Sequence, residues 1–421
     1  MKIAVCGLWH LGTVTAACLA SAGHEVVGLD EDPALIDQLS TAVLPVAEPG
    51  LADLTSAQLS AGRLRFSTDF SETAGVDVVW IAYDTPVDEA DRADTAFVQD
   101  RALRAIAAMR PGAVILVSSQ MPVGSVARLA AAAGRTDIHY ACSPENLRLG
   151  KAISVFLQPD RFVIGVRDQA ARDILTAVFA PITDRLEWMS VESAEMTKHA
   201  INAFLATSIC FINEIATLCE RSGADALEVE RGLKSEQRIG PQSYLHAGGA
   251  FSGGTLARDI AFLRALGEQT GIGIPLVEGV FASNEYHKTW LPRCIAGVFP
   301  TLVGRRITVL GLTYKPGTDT LRRSAAVEAA QWLHAQGAQV HAFDPQVHSL
   351  PPGLASQITR HDSLAAALAD TEAMVVMTPW PEFRLMDPAL APTVVFDAAR
   401  FLEPTLLGQP RLRYFSIGRA L

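Results

Sequence analysis

The sequence predicts an α/β protein in which two doubly wound domains are joined by a long central helix and a small all-α middle domain. With 421 residues, the chain is too long for one compact core. Near both ends, short apolar runs that suit buried strands alternate with helical segments, as in parallel sheets covered on both faces. Between them the chain is helical in character from Glu192 to about Leu266. We therefore expect domains at residues 1–192, 193–300 and 301–421.

The N-terminal region predicts a strand, a glycine-rich turn, a helix and a second strand in succession. Residues 3–6 suit a short buried strand, residues 11–22 a helix that ends at Gly23, and residues 25–29 a strand followed by Asp30. Further strands are expected at residues 76–83, 113–118, 138–142 and 161–165, and further helices at 34–39, 95–109 and 125–133.

One long periodic segment dominates the middle of the chain. Residues 194–222 predict a helix well above average length, and Gly223 is a fitting stop. A second βα alternation begins at Arg306. Its strands are expected at residues 307–310, 339–343, 373–378 and 393–397, and its first helix at residues 325–336.

Composition argues against several classes of function. The formal net charge is −10 without a basic block, which disfavours nucleic acid or an anionic membrane surface as a partner. No apolar run is judged long enough to span a bilayer, and Met1-Lys2 leaves no room for a signal peptide. The six cysteines are scattered and the histidines are not clustered, so we expect no metal site, no disulfides and a cytoplasmic location.

The first turn resembles a dinucleotide-binding fingerprint. Gly7-Leu-Trp-His-Leu-Gly12 lies between a strand and a helix. Gly7 supplies the tight turn, Gly12 allows close packing, and Asp30 would accept from ribose hydroxyls, which favours NAD over NADP. Trp9 replaces the usual middle glycine, so its indole either swings outward or blocks the pyrophosphate. We expect NAD; the alternative is a packing turn without a cofactor.

Residues 251–259, Phe-Ser-Gly-Gly-Thr-Leu-Ala-Arg-Asp, resemble the active-site loop of the UDP-glucose/GDP-mannose dehydrogenase family, which usually reads Gly-Phe-Gly-Gly-Ser-Cys-Phe-Pro-Lys-Asp. Other stretches resemble motifs of that family and follow in its order over nearly the whole chain. They include residues 48–51, 85–86, 122–124, 143–148, 158–161, 195–202, 204–207, 211–214, 238–240, 244–245, 311–316, 318–319 and 344–345, and also Trp380 and Asp397. The resemblance implies two Rossmann-like domains, NAD, a UDP-linked sugar as substrate and a homodimer built on the long helix.

The resemblance also implies the residues of the site. The implied cofactor contacts are Gly7, Trp9, His10, Leu11, Gly12, Asp30, Thr85, Pro86 and Gln120. The implied substrate contacts are Glu145, Leu147, Arg148, Lys198, Arg238 (across a dimer), Tyr244, Gly253, Arg258, Lys315 and Arg322. The implied catalytic residues are Glu145, Lys198, Asn202, Thr255 and Asp259. Five of the substrate contacts could donate hydrogen bonds to a diphosphate and are called the phosphate donors below: Arg238, Tyr244, Arg258, Lys315 and Arg322. The alternative for each is a surface charge or a half-buried aromatic, above all for Arg322, because Arg323 replaces the acidic residue usual beside it.

Three of these residues suit the chemistry independently of the resemblance. Lys198 and Asn202 are spaced i, i+4 and therefore project from one helical face. An ammonium beside an amide suits an alkoxide or a tetrahedral oxyanion. Asp259 could hold a water molecule or Lys198 in place and help to take the hydroxyl proton. The alternative is a salt-bridged lysine on a solvated face and an asparagine that pairs locally.

Three positions depart from the family pattern. The family's cysteine captures the aldehyde as a hemithioacetal, which permits a second oxidation and thioester hydrolysis; Thr255 stands in its place. A thiol ionises near a pKa of about 8.5, whereas a threonine hydroxyl needs a strong adjacent base, and no histidine lies near Thr255 in sequence. Leu149 and Gln120 replace two groups that handle water during hydrolysis. Cys142, the only other thiol near a matched motif, is expected to pack at a strand end.

The sequence leaves three functions open. The first is a nucleotide-sugar oxidoreductase that forms a 6-aldehyde, or oxidises the aldehyde hydrate without covalent capture. The second is a redox-neutral enzyme, such as an epimerase, that reduces and reoxidises NAD in place. The third is a non-catalytic nucleotide-sugar-binding protein, which Trp9 would explain best.

Overall fold

The computed structural model describes residues 1–86, 93–251, 255–321 and 324–419. Two compact units make up the chain, Met1–Ile201 and Asn202–Leu421. One helix, Val191–Ser222, begins in the first unit and ends in the second.

The first unit contains a doubly wound sheet. Its strands among the described residues are β1 (Lys2–Cys6), β2 (Glu25–Leu29), β3 (Leu64–Ser67), β4 (Val78–Ile81), β5 (Val114–Val117), β6 (His139–Cys142), β7 (Phe162–Val166) and β8 (Leu186–Met189). They lie in the order β3-β2-β1-β4-β5-β6-β7-β8. The strand order reverses between β1 and β4, which is where open α/β sheets bind ligands.

Helices cover both faces of this sheet. They are α1 (His10–Ser21), α2 (Pro33–Ser40), α3 (Leu51–Ser60), α4 (Thr95–Ala107), α5 (Ser125–Ala133), α6 (Ala152–Leu157), α7 (Gln169–Phe179) and the start of α8 (Val191–Ser222). Alternate residues of β1 enter different cores: Ile3 and Val5 join one, and Ala4 and Cys6 join the other. The sheet is therefore buried on both faces, as its continuous apolar strands predicted.

The sheet of the first unit differs from the expected parallel one at β6 and β7, which pair antiparallel; every other neighbouring pair is parallel. Because β7 runs antiparallel to β6, the connection between them does not return to the end of the sheet where β6 begins. Residues 143–161 therefore stay at the carboxyl edge of β6, where the implied substrate contacts Glu145, Leu147 and Arg148 lie.

The second unit combines helices with another doubly wound sheet. Its helices before the sheet are the rest of α8, α9 (Ala226–Ser235), α10 (Leu256–Thr270), α11 (Pro275–Lys288) and α12 (Trp290–Ala296). The elements that follow are β9 (Arg306–Leu310), α13 (Ala325–Ala335), β10 (Gln339–Phe343), α14 (Pro352–Ala355), β11 (Ile358–Arg360), α15 (Leu364–Leu368), β12 (Ala373–Val376), β13 (Val394–Asp397), α16 (Glu403–Leu406) and β14 (Arg413–Phe415). The strands lie in the order β11-β10-β9-β12-β13-β14, and all neighbouring pairs are parallel.

The middle of the chain is less helical than expected. Residues 236–251 contain neither helix nor strand, although the sequence up to about Leu266 had suggested helix throughout. Gly240-Pro241 and Gly248-Gly249 explain the difference, because proline removes a helical donor and glycine disfavours the helix interior.

Helix α8 corrects the expectation that no segment is long enough to cross a bilayer. It is the one helix among the described residues whose length, 32 residues, and apolar composition would allow a span. The core helix of a soluble protein satisfies the same criterion, and α8 carries buried polar side chains in both units. These include Glu195, His199, Asn202 and Asn213. The absence of a membrane partner stays a prediction.

Candidate active site

The glycine-rich turn of the first unit requires both of its glycines. Gly7 has a φ of +92°, and a β carbon there would lie 2.6 Å from the ring of Tyr83. A β carbon at Gly12 would lie 1.7 Å from the carbonyl oxygen of Gly7, so only glycine lets α1 approach the turn this closely. The backbone N–H of Leu8 donates to Asp30 Oδ2 (2.9 Å), which ties the turn to the end of β2.

Trp9 points outward. It immediately precedes α1, and 51 % of its surface is exposed. Leu11, two residues later, is buried and lines a cavity described below.

His10 links the turn to a second carboxylate. Its Nε2 donates to Glu48 Oε2 (2.9 Å), and the backbone N–H groups of Gly150 and Ala152 donate to the same buried side chain at 2.8 and 2.9 Å. Burial alone would raise the pKa of Glu48, but the hydrogen bonds from Gly150, His10 and Ala152 outweigh it and lower the pKa. Glu48 therefore stays ionised and joins the turn to the segment that precedes α6.

The implied cofactor contacts Thr85, Pro86 and Gln120 lie at the carboxyl ends of β4 and β5. Thr85 Oγ1 donates to the backbone carbonyl of Gln120 (2.7 Å), and Pro86 follows Thr85 as the last residue described before position 93. Glu195 accepts from the N–H of Gly124 (2.5 Å) and of Val126 (2.9 Å) at the start of α5. Burial raises the pKa of Glu195 despite these donors.

These residues fit NAD. Gly7 and Gly12 keep the turn tight and α1 close to it, because a β carbon would meet Tyr83 at the first position and the Gly7 carbonyl oxygen at the second. The buried hydroxyl of Tyr83, beside Gly7, has no hydrogen-bond partner within the described ranges. Helix α1 begins at the turn with its positive dipole end, which favours phosphate groups. Gly7 to Gly12 and Asp30 would hold the dinucleotide.

A cavity of about 310 Å³ contains the implied substrate residues of the first unit. Lys198 Nζ lies 3.8 Å from Glu145 Oε2, and both side chains are mostly buried. Leu147 and Arg148 line the same cavity. So does Thr15, whose buried hydroxyl has no hydrogen-bond partner in the part of the chain that the structure describes.

Asn202 follows Lys198 by one turn of α8 and belongs to the second unit. Its Nδ2 donates to Asp259 Oδ2, and both side chains are buried, Asp259 completely. A buried carboxylate that is held in place by an amide donor suits proton transfer.

Polar side chains hold the chain on the N-terminal side of the implied catalytic loop. The amide of Asn284 makes two bonds with the backbone of Phe251: Oδ1 accepts from its N–H and Nδ2 donates to its carbonyl, each at 2.9 Å. Gly248 is held in the same way by Asn213 Oδ1 (3.0 Å) and His287 Nε2 (2.8 Å). Gly253 lies outside the described residues.

Thr255 precedes α10 and is exposed, and its side chain makes no capping hydrogen bond. Cys142 lines a small pocket with Glu145 and Lys198 but does not offer a substitute nucleophile. Cys142 is buried, and burial, together with the nearby Glu195 carboxylate, raises its pKa well above the ordinary value.

The implied phosphate donors lie on the second unit with different exposures. Arg238 is exposed and pairs with Glu236 (2.9 Å), and Tyr244 and Lys315 are also exposed. Arg258 is half-buried in the first turn of α10. Arg322 lies outside the described residues.

A second cavity, of about 290 Å³, lies in the second unit at the carboxyl ends of β12 and β13. Gly249 and Ala250, just before the catalytic loop, form part of its wall, together with Trp332 of α13. Open α/β sheets bind ligands at this edge.

Comparison with known proteins identifies the family. The UDP-glucose/GDP-mannose dehydrogenase family matches through its NAD binding domain at residues 1–183, its central domain at residues 192–286 and its UDP binding domain at residues 308–404. The chain belongs to this family. It is an NAD-dependent nucleotide-sugar dehydrogenase, and its two Rossmann-like domains and long central helix are confirmed.

Individual relatives of this dehydrogenase cover nearly its full length. UDP-glucose 6-dehydrogenase of Rhizobium meliloti is 35% identical over 100% of both chains. UDP-glucose 6-dehydrogenase of Bacillus subtilis is 34% identical over 99% of this chain and 93% of that protein. The solved UDP-glucose dehydrogenase of Pyrobaculum islandicum has a TM-score of 0.88 at 31% identity and covers 100% of this chain and 98% of that one.

Sequence reasoning missed several residues that hold the dehydrogenase's candidate site. Asn284 and His287 lie on α11, outside every motif, and their partners are more than 30 positions away in sequence. Asn213 lies within a matched motif, but nothing in the sequence marks Gly248 as its partner. Glu48 also lies within a matched motif, and its buried charge was not expected.

Proposed function

We propose that this dehydrogenase oxidises the primary alcohol of a UDP-linked hexose once and releases the aldehyde; oxidation of the aldehyde hydrate to the acid without a covalent intermediate is the alternative. The observation that carries the proposal is the contrast between Thr255 and the other implied catalytic residues. Thr255 stands where the family places its nucleophile, whereas Lys198, Asn202 and Asp259, which serve the first oxidation, are present and partly or wholly buried.

The first oxidation needs a proton acceptor and a stabiliser for the developing alkoxide. Asp259, completely buried and bonded to Asn202, is the proton acceptor that we propose. The Lys198 ammonium, 3.8 Å from Glu145, stabilises the negative oxygen, and removal of water from the cavity strengthens that interaction. NAD, which Gly7 to Gly12 and Asp30 would hold, would supply the acceptor for the hydride of the carbinol carbon.

The second oxidation lacks its usual covalent step. Capture of the aldehyde requires an anionic nucleophile, and the Thr255 hydroxyl ionises far outside the physiological range without a base. Thr255 Oγ1 accepts no capping hydrogen bond from the backbone N–H groups at the start of α10, so no such bond orders it. Cys142, buried with a raised pKa, does not replace it.

The UDP moiety and the hexose are inferred from relatives. Relatives that match along the whole chain include UDP-glucose 6-dehydrogenases, and the matched C-terminal domain is a UDP binding domain. Within the second unit, we favour the cavity at the carboxyl ends of β12 and β13 as the binding place of the nucleotide end of the substrate.

We also propose a homodimer built on α8. Phe204, Phe211 and Leu218 are spaced seven residues apart on one face of this helix and are 71%, 47% and 64% exposed. An exposed apolar stripe at this spacing suits a packed helix partner. Because the described cysteines are free, we further propose that the dimer works in the reducing cytoplasm.

Product mass tests the proposed reaction. The protein is incubated with NAD and each of a panel of UDP sugars, and each product is weighed before and after borohydride reduction. We expect a product two hydrogens lighter than the substrate that borohydride converts back to the substrate mass. An acid that resists borohydride would refute the single oxidation, and an isomer of unchanged mass would favour the redox-neutral alternative.

A further inference from the structure

A three-residue ion cluster lies at the carboxyl end of β2, beside the implied ribose site. Glu31 Oε2 accepts from Arg101 (3.0 Å) and Glu31 Oε1 accepts from Arg104 (2.8 Å), so one carboxylate engages two guanidinium groups of α4. The side chains of Glu31 and Arg101 are two-thirds or more buried, and that of Arg104 is more exposed.

The cluster borders the place where the adenosine end of the cofactor belongs. Glu31 directly follows Asp30, whose carboxylate accepts from the Leu8 N–H of the glycine-rich turn. The Arg101 guanidinium lies over the ring of Phe97 (3.5 Å) and near the ring of Tyr83 (5.9 Å). Tyr83 in turn contacts Gly7 so closely that a β carbon there would overlap it. Arg101 is therefore fixed between the ribose-binding end of β2 and the pyrophosphate turn.

We propose that Glu31 determines the selectivity of this dehydrogenase for NAD over NADP by occupying Arg101 and Arg104. Two arginines at the end of β2 are suited to bind a ribose 2′-phosphate, because a guanidinium binds phosphate through paired hydrogen bonds. Glu31 already holds both groups. A 2′-phosphate would have to displace Glu31 and would then lie beside the carboxylates of Glu31 and Asp30.

Because one carboxylate holds both arginines, we expect the single substitution Glu31→Gln to shift the cofactor preference toward NADP. Replacement of the Glu31 carboxylate by an amide of nearly the same shape removes one negative charge and releases two positive ones. Phe97 continues to hold the Arg101 guanidinium in position through its ring contact. The freed pair then binds the additional phosphate, while Asp30 keeps its bond to Leu8.

The test is direct binding of NAD and NADP to purified full-length protein, measured by titration calorimetry without a sugar substrate. For Glu31→Gln we expect the affinity for NADP relative to NAD to rise about 10- to 100-fold, the range expected for one or two charge-assisted bonds to phosphate. The double variant Glu31→Gln, Arg104→Met should lose most of that gain. An unchanged ratio in Glu31→Gln, or a gain that survives loss of Arg104, would overturn the proposal.

A matched control separates local contacts from net charge. Glu72 pairs with Arg65, so Glu72→Gln removes the same charge and also frees an arginine. Both residues line a pocket with Lys2 and Glu25 at the amino edge of the sheet, away from the turn. We expect the NADP-to-NAD ratio of Glu72→Gln to equal that of the wild type, whereas a similar gain in both variants would show a general charge effect and refute the role of Glu31. Thermal unfolding of each variant reports whether it is folded.

If Glu31→Gln does not fold, Glu31→Ala replaces it in the same titration. A higher NADP-to-NAD affinity ratio in Glu31→Ala would support the proposal, and an unchanged ratio would overturn it.

Discussion

The two doubly wound sheets begin in the same way and use the same motif differently. In each, a glycine with positive φ follows the first strand, Gly7 in one and Gly311 in the other. An aspartate at the end of the neighbouring strand then accepts from the residue after that glycine: Asp30 from the N–H of Leu8 (2.9 Å), and Asp344 from the N–H of Leu312 (2.7 Å).

The two aspartates differ in how many donors they already have. Asp344 is buried and accepts also from the N–H and hydroxyl of Thr313, from Trp380 Nε1 and from the N–H of Gln346. Asp30 has two backbone donors, Leu8 and Asp32, and is partly exposed. The carboxylate of Asp344 is thus saturated with hydrogen-bond donors and stabilises its turn, whereas the carboxylate of Asp30 can still accept hydrogen bonds from a ligand.

The chain after the turn differs as well. In the first unit α1 begins at His10, directly after the turn, and directs its N-terminus toward the place of the pyrophosphate. In the second unit α13 begins only at Ala325, and a loop that contains Lys315 precedes it. The same strand-and-turn motif therefore serves a dinucleotide in one unit and supports a loop in the other.

The largest effect on cofactor binding is expected at Gly12. Gly12→Ala would place a β carbon 1.7 Å from the Gly7 carbonyl oxygen and push α1 away from the turn. We expect NAD affinity, measured by calorimetry, to fall at least about 100-fold, which corresponds to about 2.7 kcal/mol. Gly75→Ala is the control, because its β carbon meets nothing within 4 Å. Wild-type NAD affinity in Gly12→Ala would contradict the account of the turn.

Asp344 should matter for stability. Asp344→Asn removes the negative charge that satisfies several buried donors. We expect the free energy of unfolding from urea titration to fall by about 3 kcal/mol, since bonds to a charged group contribute about 1.5–3 kcal/mol each and the amide replaces part of them. A loss below about 0.5 kcal/mol would show that the saturated carboxylate is not structural.

Asp30 should matter for binding instead. Asp30→Asn keeps one acceptor for the turn but loses the charge that a ribose hydroxyl would bond to. We expect about a 10-fold weaker affinity for NAD, about 1.4 kcal/mol, with unfolding changed by less than about 1 kcal/mol. The reverse pattern, a large loss of stability with unchanged affinity, would make the two aspartates equivalent.

The smallest effect concerns acid stability of the second unit. The bond from Arg400 lowers the pKa of Asp225 from 3.8 to about 2. Because the folded-state pKa is the lower one, the contribution is complete above pH 4 and is lost as the pH falls toward 2. The free energy of unfolding is measured by urea titration at pH 6, 4 and 3. Relative to the wild type, Asp225→Asn should be less stable by about 1 kcal/mol at pH 6, and the difference should shrink toward pH 3. The effect is modest because the carboxylate is one-third exposed. An equal deficit at all three pH values would refute this role.

The sequence predicted the parts of both units that local pattern determines. Strands β1, β2, β9 and β10 are apolar and end at a glycine turn or an aspartate, so their positions were foreseen. Strand β3 was missed because Leu64–Ser67 is short and carries Arg65, and β8 was missed because Leu186–Met189 includes Glu187. The antiparallel pairing of β6 with β7 depends on where the intervening chain packs, which no periodicity encodes.

The candidate site shows the same limit. The spacing of Lys198 and Asn202 predicted a shared helix, because i, i+4 geometry is local. The bond between Asn202 and Asp259 joins positions 57 apart, and only the packed second unit brings the two together. The outward orientation of Trp9 also required the structure, since the sequence allowed both orientations.

The central claim is that Thr255 limits this dehydrogenase to one oxidation, and the number of NADH molecules formed per sugar consumed tests it most directly. The ratio is measured for the wild type and for Thr255→Cys with the best UDP sugar, and Thr255→Ser serves as the control that keeps a hydroxyl. We predict a ratio of about one for the wild type and for Thr255→Ser, and a ratio rising toward two, with acid formed, for Thr255→Cys. A ratio of two in the wild type would contradict the account.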